Sequence, residues 1–186
     1  MRHLFNWAFV FFSIGSPIGH ADTHYQNSEV FFSSEVQLDK EFIRLIDQEK
    51  KSIEFAVFHF SHYPIADALL RAYRRGVEIT LVVDTCSMKK RSALQKLIKA
   101  GIPVQVWHPP EGDKKRGRIL MHHKFCLFGE ERVWSGSCNF TRALGSSHRE
   151  NALLVSDRDI VESYKKEFKN LLASSISIPF EKETVK

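Results

Sequence analysis

The sequence predicts an α/β domain: one mixed central β-sheet flanked by helices. Three observations carry this expectation. Short apolar runs alternate with segments of helical periodicity along most of the chain. The hydrophobic and charged fractions, 43% and 26%, are ordinary for a globular protein. A length of 186 residues suits one domain with a sizeable core.

Taken in order, Glu29–Ser33 reads as a strand. Asp39–Lys50 places Phe42, Ile43, Leu45 and Ile46 on one helical face, and Ser52–Phe60 is apolar and aromatic enough for a central strand. Pro64 suits a first helical turn, and Ile65, Ala68, Leu69, Ala72 and Tyr73 continue one stripe as far as Gly76. Val77–Val83 is a strand that ends at Asp84. Ser92–Ala100 is a helix stopped by Gly101, and Ile102–Trp107 a further strand. Pro109–Arg118 is a polar, basic loop. Leu120–Phe128, Arg132–Ser135 and Asn151–Val155 complete the sheet. Asp157–Leu172 is a closing helix with Asp157 or Asp159 near its cap, and Ser174–Lys186 reads as a tail. No internal repeat is visible.

The first residues stand apart from this pattern. Arg2 precedes an apolar run from Leu4 to Ile14, followed by Gly15-Ser16-Pro17 and the small-residue site Gly19-His20-Ala21. That order is the one of a secretory signal peptide, residues 1–21, cut after Ala21. The run is short for a membrane span, which needs about 20 apolar residues. An uncleaved anchor is the competing reading. Cleavage leaves 22–186 as the domain and removes Arg2, taking the net charge from +5 to +4. The expectation is therefore a secreted or periplasmic protein with no stable membrane span after cleavage. Its mildly basic surface favours polyanions, nucleic acid or anionic lipid headgroups, without choosing between them.

Cys86, Cys126 and Cys138 are an odd number for an exported chain, and none has the close spacing of a zinc site. Cys126 reads as a small core residue. No disulfide is expected.

The chemistry concentrates in one stretch. His122-His123-Lys124 precedes an apolar run and then Gly136-Ser137-Cys138-Asn139. On a strand, alternate side chains share a face, so His122 and Lys124 point one way and His123 the other. By that facing His123 reads as a packed structural histidine. An imidazole beside an ammonium can attack and neutralise a phosphate.

The spacing resembles the HKD motif of the phospholipase D superfamily, His-x-Lys-x4-Asp-x6-Gly-Ser-x-Asn. It reads here as His122, Lys124, Gly136, Ser137 and Asn139, with Gly129 where the aspartate is expected. Arg149-Glu150-Asn151-Ala152-Leu153-Leu154 is similar to the Glu-Asn-apolar strand that follows the motif. The likeness extends from about Val30 to the end of the chain. It is strongest to the small single-motif members, the Nuc-type endonucleases and mitochondrial phospholipase D-like proteins.

The resemblance implies a phospholipase D-like fold with one motif per chain and a phosphodiesterase needing no metal and no cofactor. It implies His122 as nucleophile, forming a covalent phosphohistidine. Lys124 and Asn139 would hold phosphate oxygens, with Ser137 assisting and Gly136 letting the turn approach the phosphate. Glu150 would fix the ring of His122. A homodimer would bring in the second histidine as acid. Where the motif's aspartate is missing, Gly129 suits a tight turn, and Glu130 or Glu131 beside it can supply a bracing carboxylate.

Lys114, Lys115, Arg116 and Arg118 precede the motif and can hold a nucleic-acid backbone, while Trp107 and His108 can stack on a base or pack. Nothing resembles base-edge readout. The favoured reading is a non-specific endonuclease acting on DNA or RNA. The alternatives are a phospholipase D acting on phosphatidylcholine or cardiolipin, and a catalytically silent nucleic-acid-binding protein.

Overall fold

The computed structural model describes residues 28–89, 93–109, 119–144 and 148–178. The proposed signal peptide, the basic loop of Lys114, Lys115, Arg116 and Arg118, and the last eight residues lie outside them. The elements are β1 (Glu29–Phe32), α1 (Leu38–Gln48), β2 (Ser52–Val57), α2 (Tyr63–Arg74), β3 (Glu78–Asp84), a 3-10 turn (Thr85–Lys89) and α3 (Ala93–Lys99). They continue with β4 (Val104–Trp107), β5 (Lys124–Phe128), β6 (Arg132–Gly136), β7 (Asn151–Val155), α4 (Arg158–Ala173) and β8 (Ser175–Ser177). One eight-stranded sheet has the order β1-β7-β6-β5-β2-β3-β4-β8. Strands β2, β3 and β4 are parallel, and the other pairings are antiparallel.

Side-chain alternation divides the core between the two faces. Ile53, Phe55 and Val57 of β2, with Cys126 and Phe128 of β5, join the larger cluster with residues of α1, α2 and α3. Ala56, Phe125, Leu127 and Val133 face the other way and pack with Val161, Phe168 and Leu171 of α4. A strand buried on both sides reads as a continuous apolar run, which is why Phe125–Phe128 shows no polar alternation.

Three expectations change. Strand β5 starts at Lys124 rather than Leu120, because the amide of Met121 donates to Asp84 Oδ2 at 3.0 Å instead of to a strand partner. The ladder with β2 nevertheless reaches back one residue, since Phe58 N–H donates to the His123 carbonyl at 2.9 Å. The predicted tail begins as a strand: Ser175–Ser177 pairs with β4, and Ile178 N–H donates to Val104 O at 3.0 Å. Three residues are too few for a periodicity to be read.

The third concerns the bracing carboxylate at the β5–β6 turn. Gly129 adopts φ +58°, a left-handed conformation suited to glycine. A Cβ built there lies 3.5 Å from Glu49 Oε1. The carboxylate beside the turn is therefore that of Glu49, at the end of α1, not of Glu130 or Glu131. Glu49 is only 7% exposed. Its Oε1 accepts the amides of Lys50 and Lys51 at 2.9 and 2.8 Å, and its Oε2 lies 3.8 Å from Arg132 Nη2. Glu131 instead makes an exposed pair with Lys51.

Candidate active site

The motif gathers at the sheet edge formed by the end of β2, the start of β5, the end of β6 and the start of β7. Register explains the convergence: Val57 pairs with Lys124, Phe125 with Ser135, and Gly136 with Ala152. His122 and Lys124 fall on one side, as alternation requires. Lys124 Nζ lies 3.1 Å from His122 Nδ1 and 2.8 Å from its carbonyl oxygen. A protonated ammonium can only donate, so Nδ1 is the acceptor and the proton of a neutral ring sits on Nε2. Beneath them lies Phe58, its centroid 4.5 Å from that of His122 and 5.6 Å from Lys124 Nζ. Burial holds the Lys124 ammonium below its ordinary pKa, while the negative field of Glu150 opposes that shift.

Ser137 and Glu150 are joined directly: the Ser137 hydroxyl donates to Glu150 Oε2 and accepts from Asn151 N–H at 3.1 Å. The expected contact between Glu150 and His122 is not made: Glu150 is taken by Ser137, and Nδ1 of His122 faces Lys124. Gly136 has in addition a packing role that the spacing does not show. A Cβ there meets Asn151 O at 2.2 Å and Ala152 Cα at 2.8 Å, so the missing side chain admits the β7 backbone. Asn139 Oδ1 is buried without a hydrogen-bond partner, singular in this among the described residues. Such an orphan costs about 1–3 kcal/mol, and a ligand that satisfies it recovers that cost. A phosphodiester anion only accepts, so the carboxamide serves it through its Nδ2–H, after turning about its last bond.

Cys138 lies beside these groups but is no nucleophile. Burial, reinforced by Glu150, pushes its thiol up to about 12, and its Sγ–H donates to Asn151 O at 3.4 Å. None of the three cysteines is in a disulfide.

His123 points away from Lys124, as expected, yet it is not packed. Its Nε2 lies 3.2 Å from Glu167 Oε1 on α4, with both side chains more than 40% exposed. At this level α4 presents its polar edge to the strand.

Two contributors were not singled out from the sequence. Phe58 forms the floor under His122 and Lys124. Asp84, 1% exposed at the end of β3, accepts Cys86 N–H at 2.8 Å and Met121 N–H at 3.0 Å. Burial alone would raise its pKa, but these bonds and the Thr85 hydroxyl bring it below the ordinary value. Asp84 thereby fixes the residue before His122. The available signal was an aspartate closing an otherwise apolar strand. His59 borders the site, in a pocket of about 350 Å³ that includes Ser61, Thr141 and Arg142.

Residues 42–172 match the family model described as cardiolipin synthase, PLD-like domain. A phospholipase D from Rickettsia felis is 30% identical over 160 residues, covering 82% of this chain and 76% of its own. A mitochondrial cardiolipin hydrolase from Xenopus laevis is 36% identical over 137 residues, 72% of this chain and 61% of its own. Among solved structures, the phospholipase D family member Nuc from Salmonella typhimurium has a TM-score of 0.72 at 23% identity, covering 82% of this chain and 98% of its own. NucT from Helicobacter pylori has a TM-score of 0.73 at 21% identity, covering 82% of this chain and 99% of its own. At these identities the structural likenesses concern the fold.

Proposed function

The chain belongs to the phospholipase D superfamily, a phosphodiesterase by that membership, and from this premise we propose that it is a secreted, metal-independent endonuclease with no sequence specificity. The observation that carries the chemistry is the His122–Lys124 pair, 3.1 Å apart, at an edge of the sheet that also holds the Asn139 carboxamide. An incoming phosphate oxygen competes for the Lys124 ammonium. Once Lys124 turns to it, Nδ1 of His122 is free to carry the ring proton, and Nε2 becomes the nucleophile. Nε2 attacks phosphorus, the bond to the leaving oxygen breaks, and that oxygen takes a proton from the partner subunit's His122. The same group then removes a proton from water, which attacks phosphorus and releases the first ring. Lys124 and the amide of Asn139 supply the positive field on the phosphate oxygens.

One motif provides one histidine, so the reading includes a homodimer. Val30 and Leu153, paired across β1 and β7, and Phe32 are 55%, 47% and 43% exposed, and offer a second copy apolar surface to bury. The net charge of +5 and Arg142 in the pocket beside His59 suit a polyanionic substrate, of which nucleic acid is the one this reading adopts.

The second reading, a phospholipase D acting on phosphatidylcholine or cardiolipin, is favoured by the sequence relatives, a phospholipase D and a mitochondrial cardiolipin hydrolase. The test is the purified chain on plasmid, single-stranded DNA, RNA and cardiolipin vesicles with chelator present, with alkaline-quenched mass spectrometry for the phosphorylated peptide. Cleavage of nucleic acid through a phosphorylated His122 is expected. Turnover of cardiolipin alone transfers the reading to the lipase, and a monomer with full activity overturns the shared site.

A further inference from the structure

On the α4 side of His122 lies a pocket of about 460 Å³ lined by Trp107, Leu120, Met121, His123, Glu167 and Asn170. Its wall is aromatic and apolar. Its rim is a polar chain: His123 Nε2 lies 3.2 Å from Glu167 Oε1, and Asn170 Nδ2 donates to Glu167 Oε2 at 3.4 Å. Trp107 is held between two strands, in register with Asp84 of β3 and Ser175 of β8. Its backbone is thus held on both sides.

A flat ring with hydrogen-bonding edges matches this combination. Its face lies on an apolar, aromatic wall while its edges meet the amide and carboxylate of the rim. An acyl chain fits worse, because it strips water from Glu167, Asn170 and His123 and returns no hydrogen bond. We propose that this pocket takes one unpaired nucleobase of the strand whose phosphate lies at His122, with Trp107 as the stacking surface. The proposal rests on the nuclease reading and specifies its substrate: a base can enter only after leaving a duplex stack, so single strands are preferred.

The test measures binding by fluorescence anisotropy, using a short single-stranded oligonucleotide and an equally long strand of abasic tetrahydrofuran units. The wild-type chain is expected to bind the normal strand about tenfold or more tightly than the abasic one, the usual scale of base–aromatic stacking. Trp107→Ala is expected to abolish that ratio by weakening only the normal strand, and Trp107→Phe to retain much of it, which separates stacking from misfolding. Equal binding of both strands by the wild-type chain overturns the pocket and leaves the nuclease reading standing. A Trp107→Ala loss shared by both strands does the same. Failure to bind or cleave either strand, with hydrolysis of cardiolipin vesicles, overturns both.

Discussion

At one end of β5, His122, Lys124 and Asn139 stand with their polar atoms incompletely answered: an exposed imidazole, an ammonium depressed by burial and a carboxamide oxygen without a partner. At the other end, Glu49 is almost fully buried, and its carboxylate is taken up by two backbone amides and Arg132. Both ends carry charge, but only the first has capacity left for a ligand. A charged group whose hydrogen bonds are complete holds a turn; one whose bonds are incomplete can change partners during a reaction. The motif's departure at Gly129 falls at the completed end, so it is expected to bear on stability rather than on the phosphate chemistry.

The largest effect belongs to the open end. His122→Ala is expected to lower turnover of bis(p-nitrophenyl) phosphate by at least ~10³-fold, as removal of a nucleophile does. Because the ring is exposed, Tm is expected to stay unchanged. Loss of activity accompanied by unfolding breaks the contrast. His123→Ala, which removes an exposed contact to Glu167 and an edge contact to the Phe125 ring, is expected to shift stability by about 0–1 kcal/mol.

Asp84 is where the two kinds of end meet, since a completed carboxylate steadies the segment leading into the open one. Asp84→Ala leaves two amides without partners and is expected to cost about 3 kcal/mol in chemical denaturation. It should also lower kcat more than it raises KM, because the placement of His122 is disturbed. Asp84→Asn keeps one acceptor and is expected to recover part of both. A stability loss with unchanged kcat removes the positioning role.

At the completed end, restoring the motif's own residue is expected to harm. Gly129→Asp puts a side chain on a left-handed backbone and a second carboxylate against Glu49, at a cost of about 1–3 kcal/mol. Turnover per folded molecule is expected to hold. Glu49→Gln in that background relieves the repulsion and is expected to return part of the loss. Stabilisation by Gly129→Asp alone contradicts the assignment of Glu49 to this position.

These cases also show where the sequence was readable. The order of β1 to β7 and the four helices follows from periodicity, and the facing of His122, His123 and Lys124 follows from alternation carried by one ladder bond beyond β5. What escaped depends on contacts remote in sequence. Glu49 and Gly129 are eighty residues apart, as are Lys51 and Glu131, and no local pattern says which glutamate reaches the turn. Asp84 touches Met121 across 37 residues. The environment of His123 depends on which edge of α4 passes the strand. The packing role of Gly136 likewise depends on β7, which fills the space its missing side chain leaves.

The smallest effect refines the contrast, because the open end has one completed polar group of its own. His62 caps α2 by accepting Ile65 N–H on Nδ1 at 3.3 Å, and the amides of Ser61 and His62 hold the Phe140 carbonyl just after Asn139. Burial lowers the pKa of His62 from its ordinary 6.5, with Asp39 opposing. The unfolded chain therefore takes up the proton first. The stabilising contribution is complete above the ordinary value and is lost as pH falls below it through the folded value. Protonation also places a hydrogen on Nδ1, which then cannot accept from Ile65. A cap of this kind is worth about 1 kcal/mol. From about pH 7.5 to about pH 5, Tm of the wild-type chain is expected to fall more than that of His62→Asn, which caps without titrating. Parallel pH profiles for the two remove His62 as the source, and a steeper fall for His62→Asn reverses the sign of the argument.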